Sequence, residues 1–256
     1  MGIFLIGGSL PGGRAWAEEA AASAAGPAEA APRFSGSLQV GVASAFQLSL
    51  GGWYGDAPTP QNRATFNVDR VLNRADTLSV SGFSSHHLGV GHVNTELAVN
   101  YRTPVGKALG GSFTWMGGFR RWNFPSVLTG TTDYVLESAV HYTRQGKVPF
   151  RLTANPMVLT HSTLGRGALL LFQGQTEQKL LRRRPLTVAL RHGPVFIHSV
   201  DTYHRGGPRV LRYSASVVVS HGAYTWEACL RPQLGLQDSV KNYRFWSVSL
   251  TRYFGG

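Results

Sequence analysis

Apolar residues recur at every second position in stretch after stretch of this chain, from residue 34 almost to its end, and nowhere do about 18 of them run together. These two features restrict the fold. A side-chain period of two belongs to β-strands, whose two faces meet different surroundings. The lack of a long apolar run excludes helical membrane spans. The last stretch, Lys241 to Phe254, carries the pattern clearly. Trp246, Val248, Leu250 and Phe254 are apolar, whereas Phe245, Ser247, Ser249, Thr251 and Tyr253 are small, hydroxylated or aromatic.

The alternation begins with Leu38, Val40, Val42, Phe46, Leu48 and Leu50, set against Ser37, Gln39, Gly41, Ala43, Ala45 and Gln47. Further strands are predicted near 61–71, 75–84, 92–103, 110–121, 132–143, 148–158, 167–178, 186–200, 209–220, 223–235 and 240–254, about twelve in all. Each is close to the roughly ten residues that a tilted strand needs to cross a bilayer. Connections near Asn73-Arg74, Pro104 to Leu109, Gln145 to Lys147, Lys179 to Pro185 and His221-Gly222 are short. Those at Gly51 to Pro60, Ser85 to Gly91, Trp122 to Thr131, Thr160 to Arg166 and Asp201 to Pro208 are longer. Short and long alternate along the chain, which places them at opposite ends of an up-and-down barrel.

Charge sorts with the same parity. Of 13 acidic residues, Asp69, Glu96, Asp133, Glu137, Glu177 and Glu227 fall on the set predicted to face inward. So do Arg102, Arg120, Arg151, Arg191, Arg212 and Arg231. The opposite set holds Leu97, Val99, Tyr101, Phe113, Trp115, Leu136, Val140, Tyr142, Leu152, Val158, Phe172, Val217, Trp226 and Leu230. A soluble barrel would keep its charges outside. Lys or Arg facing lipid at mid-depth costs about 2–4 kcal/mol, so a bilayer enforces the sorting seen here.

Composition agrees: charged residues are only 15%, aromatics 11%, glycines number 31, and mean hydropathy is −0.09. The net charge of +12 is spread over turns, loops and strand faces without a compact basic helix, so a nucleic-acid partner is not expected. Cys229 is the only cysteine, which excludes an internal disulfide. Before the strands, the apolar Gly2–Leu10 and the small residues of Ala15-Trp16-Ala17 predict a signal peptide over 1–17. No Lys or Arg precedes its apolar run, which fits a start cut short. Residues 18–33, rich in Ala, Glu and Pro, are expected to form a flexible periplasmic tail, and 34–256 the barrel.

The closing strand, with an aromatic near its end and apolar residues at alternate positions before it, resembles that of Gram-negative outer-membrane β-barrels of the porin-like kind. The chain departs from that pattern at Arg252 and in Gly255-Gly256. The resemblance implies residence in the outer membrane, contact with its lipids and lipopolysaccharide, and recognition of the C-terminal strand by the barrel-assembly machinery, with Phe254 at the periplasmic end. Trp226–Pro232 together with Ser247–Phe254 is also loosely similar to small barrels linked to exopolysaccharide export.

The expected function is a narrow pore for small hydrophilic solutes, weakly anion-preferring, with a constriction built from Glu96, Arg102, Arg120, Asp133, Glu137, Arg151, Glu177, Arg191, Arg212, Glu227 and Arg231. The alternative reads the same charges as a paired network in a closed structural or surface-binding barrel. A third reading, a barrel lipid esterase, rests on His161-Ser162, but the family pattern His-x-Ser-Asn is not reproduced there. No catalytic residue, cofactor or metal is expected, and His86-His87 without nearby Cys or carboxylate is a weak ligand pair. Interface aromatics are predicted as Trp53, Trp122, Tyr134 and Trp246 at the external edge, with Tyr101, Tyr142, Phe150, Tyr224 and Phe254 at the periplasmic edge. Arg121, Arg166, Arg205, Arg209, Lys241 and Arg244 are candidates for lipopolysaccharide phosphates.

Overall fold

The computed structural model describes residues 33–44, 46–47, 53–54, 58–72, 75–88, 92–124, 131–146, 148–161, 167–183, 185–202, 205–237 and 242–255. The expected signal peptide, nearly all of the expected tail and Ser162 lie outside them.

In chain order the strands are β1 (Arg33–Ala43), β2 (Phe46–Gln47), β3 (Trp53–Tyr54), β4 (Thr59–Asp69), β5 (Thr77–His87), β6 (His92–Ala108) and β7 (Gly111–Phe124). They continue as β8 (Thr131–Arg144), β9 (Phe150–His161), β10 (Gly167–Arg183), β11 (Leu186–Thr202), β12 (Arg205–His221), β13 (Tyr224–Gly235) and β14 (Tyr243–Gly255). Twelve of them form a closed antiparallel barrel, each beside its sequence neighbour, while β2 and β3 form a separate two-stranded ribbon. Closure is made by β1 against β14, with Ser35 opposite Gly255 and Ala43 opposite Ser247. Every barrel strand thereby has two neighbours, which is what a lipid environment demands of backbone N–H and C=O groups.

Turns at one end are tight because their residues accept unusual dihedrals. Leu109 (φ 54°) and Gly110 (φ 72°) are both left-handed, the type I′ geometry that suits twisted hairpin strands, and Gly222 (φ 58°) opens the turn between β12 and β13. The β4–β5 turn is held by buried Asp76. Its carbonyl accepts from Arg70 N at 2.7 Å, and its Oδ2 accepts from Leu72 N at 2.7 Å and Tyr101 Oη at 2.9 Å.

Several strands run further than their apolar alternation predicts. β6 continues through the expected turn to Ala108, β10 continues to Arg183, and β11 and β12 stay paired up to Thr202 and Arg205. Beyond the bilayer no solvent enforces alternation, yet the hydrogen-bond ladder can go on. Register shifts at Pro104/Gly106, Lys179/Leu181 and Ile197/His198 also break the parity there. At the first strand the correction goes the other way. β1 ends at Ala43, Ser44 N donates to Trp246 O at 2.9 Å, and Phe46-Gln47 pairs with Trp53-Tyr54 in the ribbon. Alternation alone does not distinguish a barrel strand from a hairpin beside it.

The two faces divide as the parity requires. Leu97, Leu136, Leu152, Val158, Val217, Trp226 and Leu230 are exposed on the outside, while Glu96, Glu137, Glu177, Arg191, Arg212 and Arg231 are buried inside. Around the short-turn end the outer rings touch one another. Tyr101 meets Trp115 (6.5 Å between centroids), Phe113 meets Tyr142 (4.9 Å), Tyr142 meets Phe150 (5.7 Å) and Phe66 meets Phe254 (5.9 Å). Phe254 lies across Gly36, where a Cβ would come 2.5 Å from its ring, so the glycine makes the seam flat enough for the aromatic to cover it. The lipid-facing belt carries a direct test. Leu136→Arg, near the middle of β8, should lower folding stability in bilayers by about 2–4 kcal/mol, measured by denaturant titration in vesicles.

Candidate functional site

Strand closure turns one residue in two toward the barrel interior, and there the charged residues gather. Glu96 on β6, Arg120 on β7 and Glu137 on β8 form the first cluster. Diagonal neighbours across two ladders bring them together, since Ala98 pairs with Arg120 and Gly118 with Glu137. Arg120 donates from Nη1 to Glu96 Oε1 and from Nη2 to Glu137 Oε1, both at 2.8 Å. Trp122 Nε1 donates to Glu96 Oε2 at 3.0 Å, and Asn155 Nδ2 to Glu137 Oε2 at 3.3 Å. Asn100, its amide turned to donate, reaches Glu137 Oε1 at 2.9 Å. Both carboxylates therefore keep full sets of donors away from water.

The second cluster joins β10, β11 and β13. Glu177 lies directly opposite Arg191 in the ladder, and its Oε2 accepts from Nε at 3.3 Å and Nη2 at 3.0 Å. Glu227 Oε2 lies 3.7 Å from Arg191 Nη1. Beside them, Arg212 Nη2 donates to Gln233 Oε1 at 2.7 Å, and the Arg231 guanidinium sits 5.3 Å from the Phe245 ring centroid. Toward the short-turn end, His141 Nδ1 is 2.9 Å from Thr153 Oγ1 and Arg151 Nε donates to Thr143 Oγ1 at 3.3 Å. Asp69, Arg102, Asp133 and Arg151 also share the inward parity.

Above these layers, toward the long-connection end, apolar residues gather, with Asp133, Asn94 and Ser199 also buried there. Trp122, Val135, Met157, Leu159, Leu169, Leu171, Val195, Ile197 and Val210 form one buried cluster. The opposite wall, β14, β1, β4 and β5, has small polar residues instead. Gln39 Nε2 donates to Ser249 Oγ at 3.1 Å, and Ser79 Oγ to Asn67 Oδ1 at 2.8 Å. Ser37, Gln39, Gly41, Thr65, Asn67, Ser79 and Ser81 remain partly accessible, whereas Ala43, Thr59, Gln61, Phe83 and Ser85 close the same wall at its far end.

Three placements differ from the sequence reading or extend it. Trp122, expected at the membrane interface, is 2% exposed inside the barrel. Its even position on β7 shares the face of Arg120, so parity outweighs its nearness to the strand end. Arg63 on β4 joins the interior, its guanidinium 5.2 Å from the Phe83 centroid. It shares the parity of Gln61, Thr65 and Asp69, a signal the sequence carried. On the lipid side, His192 links Tyr213 Oη (2.6 Å from Nδ1) to Thr176 Oγ1 (3.1 Å from Nε2), a contact across three strands that no local motif announces.

The remaining candidates are placed as follows. Tyr101, Tyr142, Tyr224 and Phe254 lie on the outer face near the short-turn end, and Tyr134 and Trp246 on that face nearer the other end. Arg121 and Arg244 are exposed near the long-connection end. The side chains of Trp53, His87, His161, Arg166, Arg205 and Lys241 lie outside the described residues. Among the described residues no group of three or more His, Cys, Asp or Glu is placed to hold a metal ion.

No family model matches the chain, and no curated relative does. Solved structures do. The NanC porin matches over 85% of this chain and 98% of its own, with 8% identity and a TM-score of 0.52. LpxR from Salmonella typhimurium matches over 85% and 100%, with 10% identity and a TM-score of 0.50. CdiB from Acinetobacter baumannii matches over 86% of this chain, which spans only 60% of its length, at 8% identity and a TM-score of 0.49. At such identities the likeness concerns fold.

The first cluster makes its own prediction. Arg120→Met leaves two buried carboxylates without their shared cation and should cost about 3–5 kcal/mol, measured by urea unfolding from detergent or lipid. Adding Glu96→Gln and Glu137→Gln should recover most of that loss. Closed, antiparallel and twelve-stranded, with exposed apolar residues outside and ion pairs within, the chain has the fold of the outer-membrane β-barrels.

Proposed function

We propose that the protein is a closed outer-membrane barrel that serves as a membrane anchor and binding surface, rather than a permanently open pore. The observation that carries this reading is the packing of its interior. Residues lining an open lumen would be wet, yet Arg212, Phe245, Met157, Leu159, Leu169, Leu171, Ile197, Val135 and Val210 are all less than 2% exposed. Eight strands are filled by side chains and sixteen leave a channel, so at twelve strands residue size decides. Here β7 to β13 contribute large residues, and the ion pairs beneath the apolar cluster hold one another. Exposed Arg121 and Arg244 near the long-connection end suit the phosphates of lipopolysaccharide, which arginine grips through two donors.

A narrow pore is the second reading. It is favoured by the small, partly accessible residues along β14, β1, β4 and β5, which leave space on one side of the interior. Planar-bilayer recording separates the two. A silent bilayer with correctly folded protein is expected. Small steps whose ion preference shifts in Arg212→Ala or Glu137→Gln would establish the pore. On the proposed reading the barrel is also not an enzyme. Purified protein should release no fatty acid from phospholipid or lipid A, and steady release lost in Ser162→Ala would overturn that part.

A further inference from the structure

We propose that the barrel interior holds one small monovalent anion, of the halide class, in the cavity at Arg231, beside Arg212. Both residues are only 2% exposed. Arg212 has a neutral partner, Gln233, and Arg231 rests against the Phe245 ring. Nε of Arg212, and Nε and Nη1 of Arg231, are buried without a hydrogen-bond partner. Among the described residues no carboxylate pairs with either guanidinium, and the two lie within each other's repulsive field.

The adjoining ion pair does not repair this. Glu177 and Glu227 both serve Arg191, so three guanidiniums share two carboxylates and one positive charge is left over. Guanidinium keeps its proton at neutral pH, and an uncompensated buried charge is costly. One monovalent anion restores neutrality. Space agrees with that stoichiometry. A small cavity on the Arg231 side, which Arg212 does not line, is bounded by Arg191, Ser214, Ser216, Glu227, Cys229 and Arg231 and has room for about one water-sized occupant. Arg231 and the two serine hydroxyls offer donors to it. A single-atom anion fits, whereas phosphate is too large and would carry excess charge. The Glu227 carboxylate on the wall is held by Arg191, which leaves the Arg231 side as the anion's seat. The site is independent of whether the barrel conducts.

The test uses the intact protein in detergent, at constant ionic strength, with chloride exchanged for gluconate. Raising chloride from about 1 to about 100 mM should lift the midpoint of the heat-induced gel shift by about 3 °C or more, because the ligand binds only the folded state. Arg231→Gln should abolish that dependence, while Arg144→Gln, at an exposed position, should retain it. Chloride NMR on the wild-type protein gives a second readout that needs no variant. Line broadening that saturates and is displaced by bromide is expected. Equal midpoints in chloride and gluconate, or broadening that never saturates, would overturn the site.

Discussion

Backbone hydrogen bonding in hydrocarbon is the constraint on which this structure depends. An unpaired N–H or C=O within a bilayer costs several kcal/mol, so a sheet that crosses one cannot keep an edge. The pairing of β1 with β14 removes the last two edges. The positions of the other elements follow from that seam. Gly36 admits the Phe254 ring across it, the aromatic belt continues on both sides, and tight turns at Leu109-Gly110 and Gly222 keep successive strands in register. A barrel opened at β1–β14 would expose two rows of polar backbone to lipid at once.

Closure also assigns two solvents to two faces. Outside, alkyl chains replace water, and exposed leucines and valines carry no penalty. Inside, along β7 to β13, many residues are buried, and they are of two kinds. Toward the middle, buried charges form two ion-paired clusters: Arg120 between Glu96 and Glu137, and Arg191 between Glu177 and Glu227. Toward the long-connection end Trp122, Met157, Leu169 and Ile197 pack as ordinary grease.

Large and small residues are distributed unevenly around the barrel. The wall from β7 to β13 supplies most of the bulk, while β14, β1, β4 and β5 supply serine, glycine, glutamine and asparagine linked by side-chain hydrogen bonds. Any passage would run along that second wall, toward whose long-connection end Phe83, Gln61 and Ala43 are buried.

Much of this was legible in the amino-acid sequence, because a bilayer imposes a period of two on every crossing strand. Alternation, the sorting of Glu96, Glu137, Arg191 and Arg231 onto one parity, and the alternation of short with long connections were enough for a twelve-stranded membrane barrel. The same parity, followed strictly, also places Arg63 and Trp122 inside. Strand ends were not legible, since the ladders of β6, β10, β11 and β12 continue where lipid no longer selects side chains. Nor was the ribbon of β2 and β3, which alternates without crossing the membrane. Which charges meet was decided only by tertiary structure. Register brings Arg120 to two carboxylates and, among the described residues, leaves Arg212 and Arg231 with none, and a one-dimensional pattern records a residue's face but not its neighbours across the barrel.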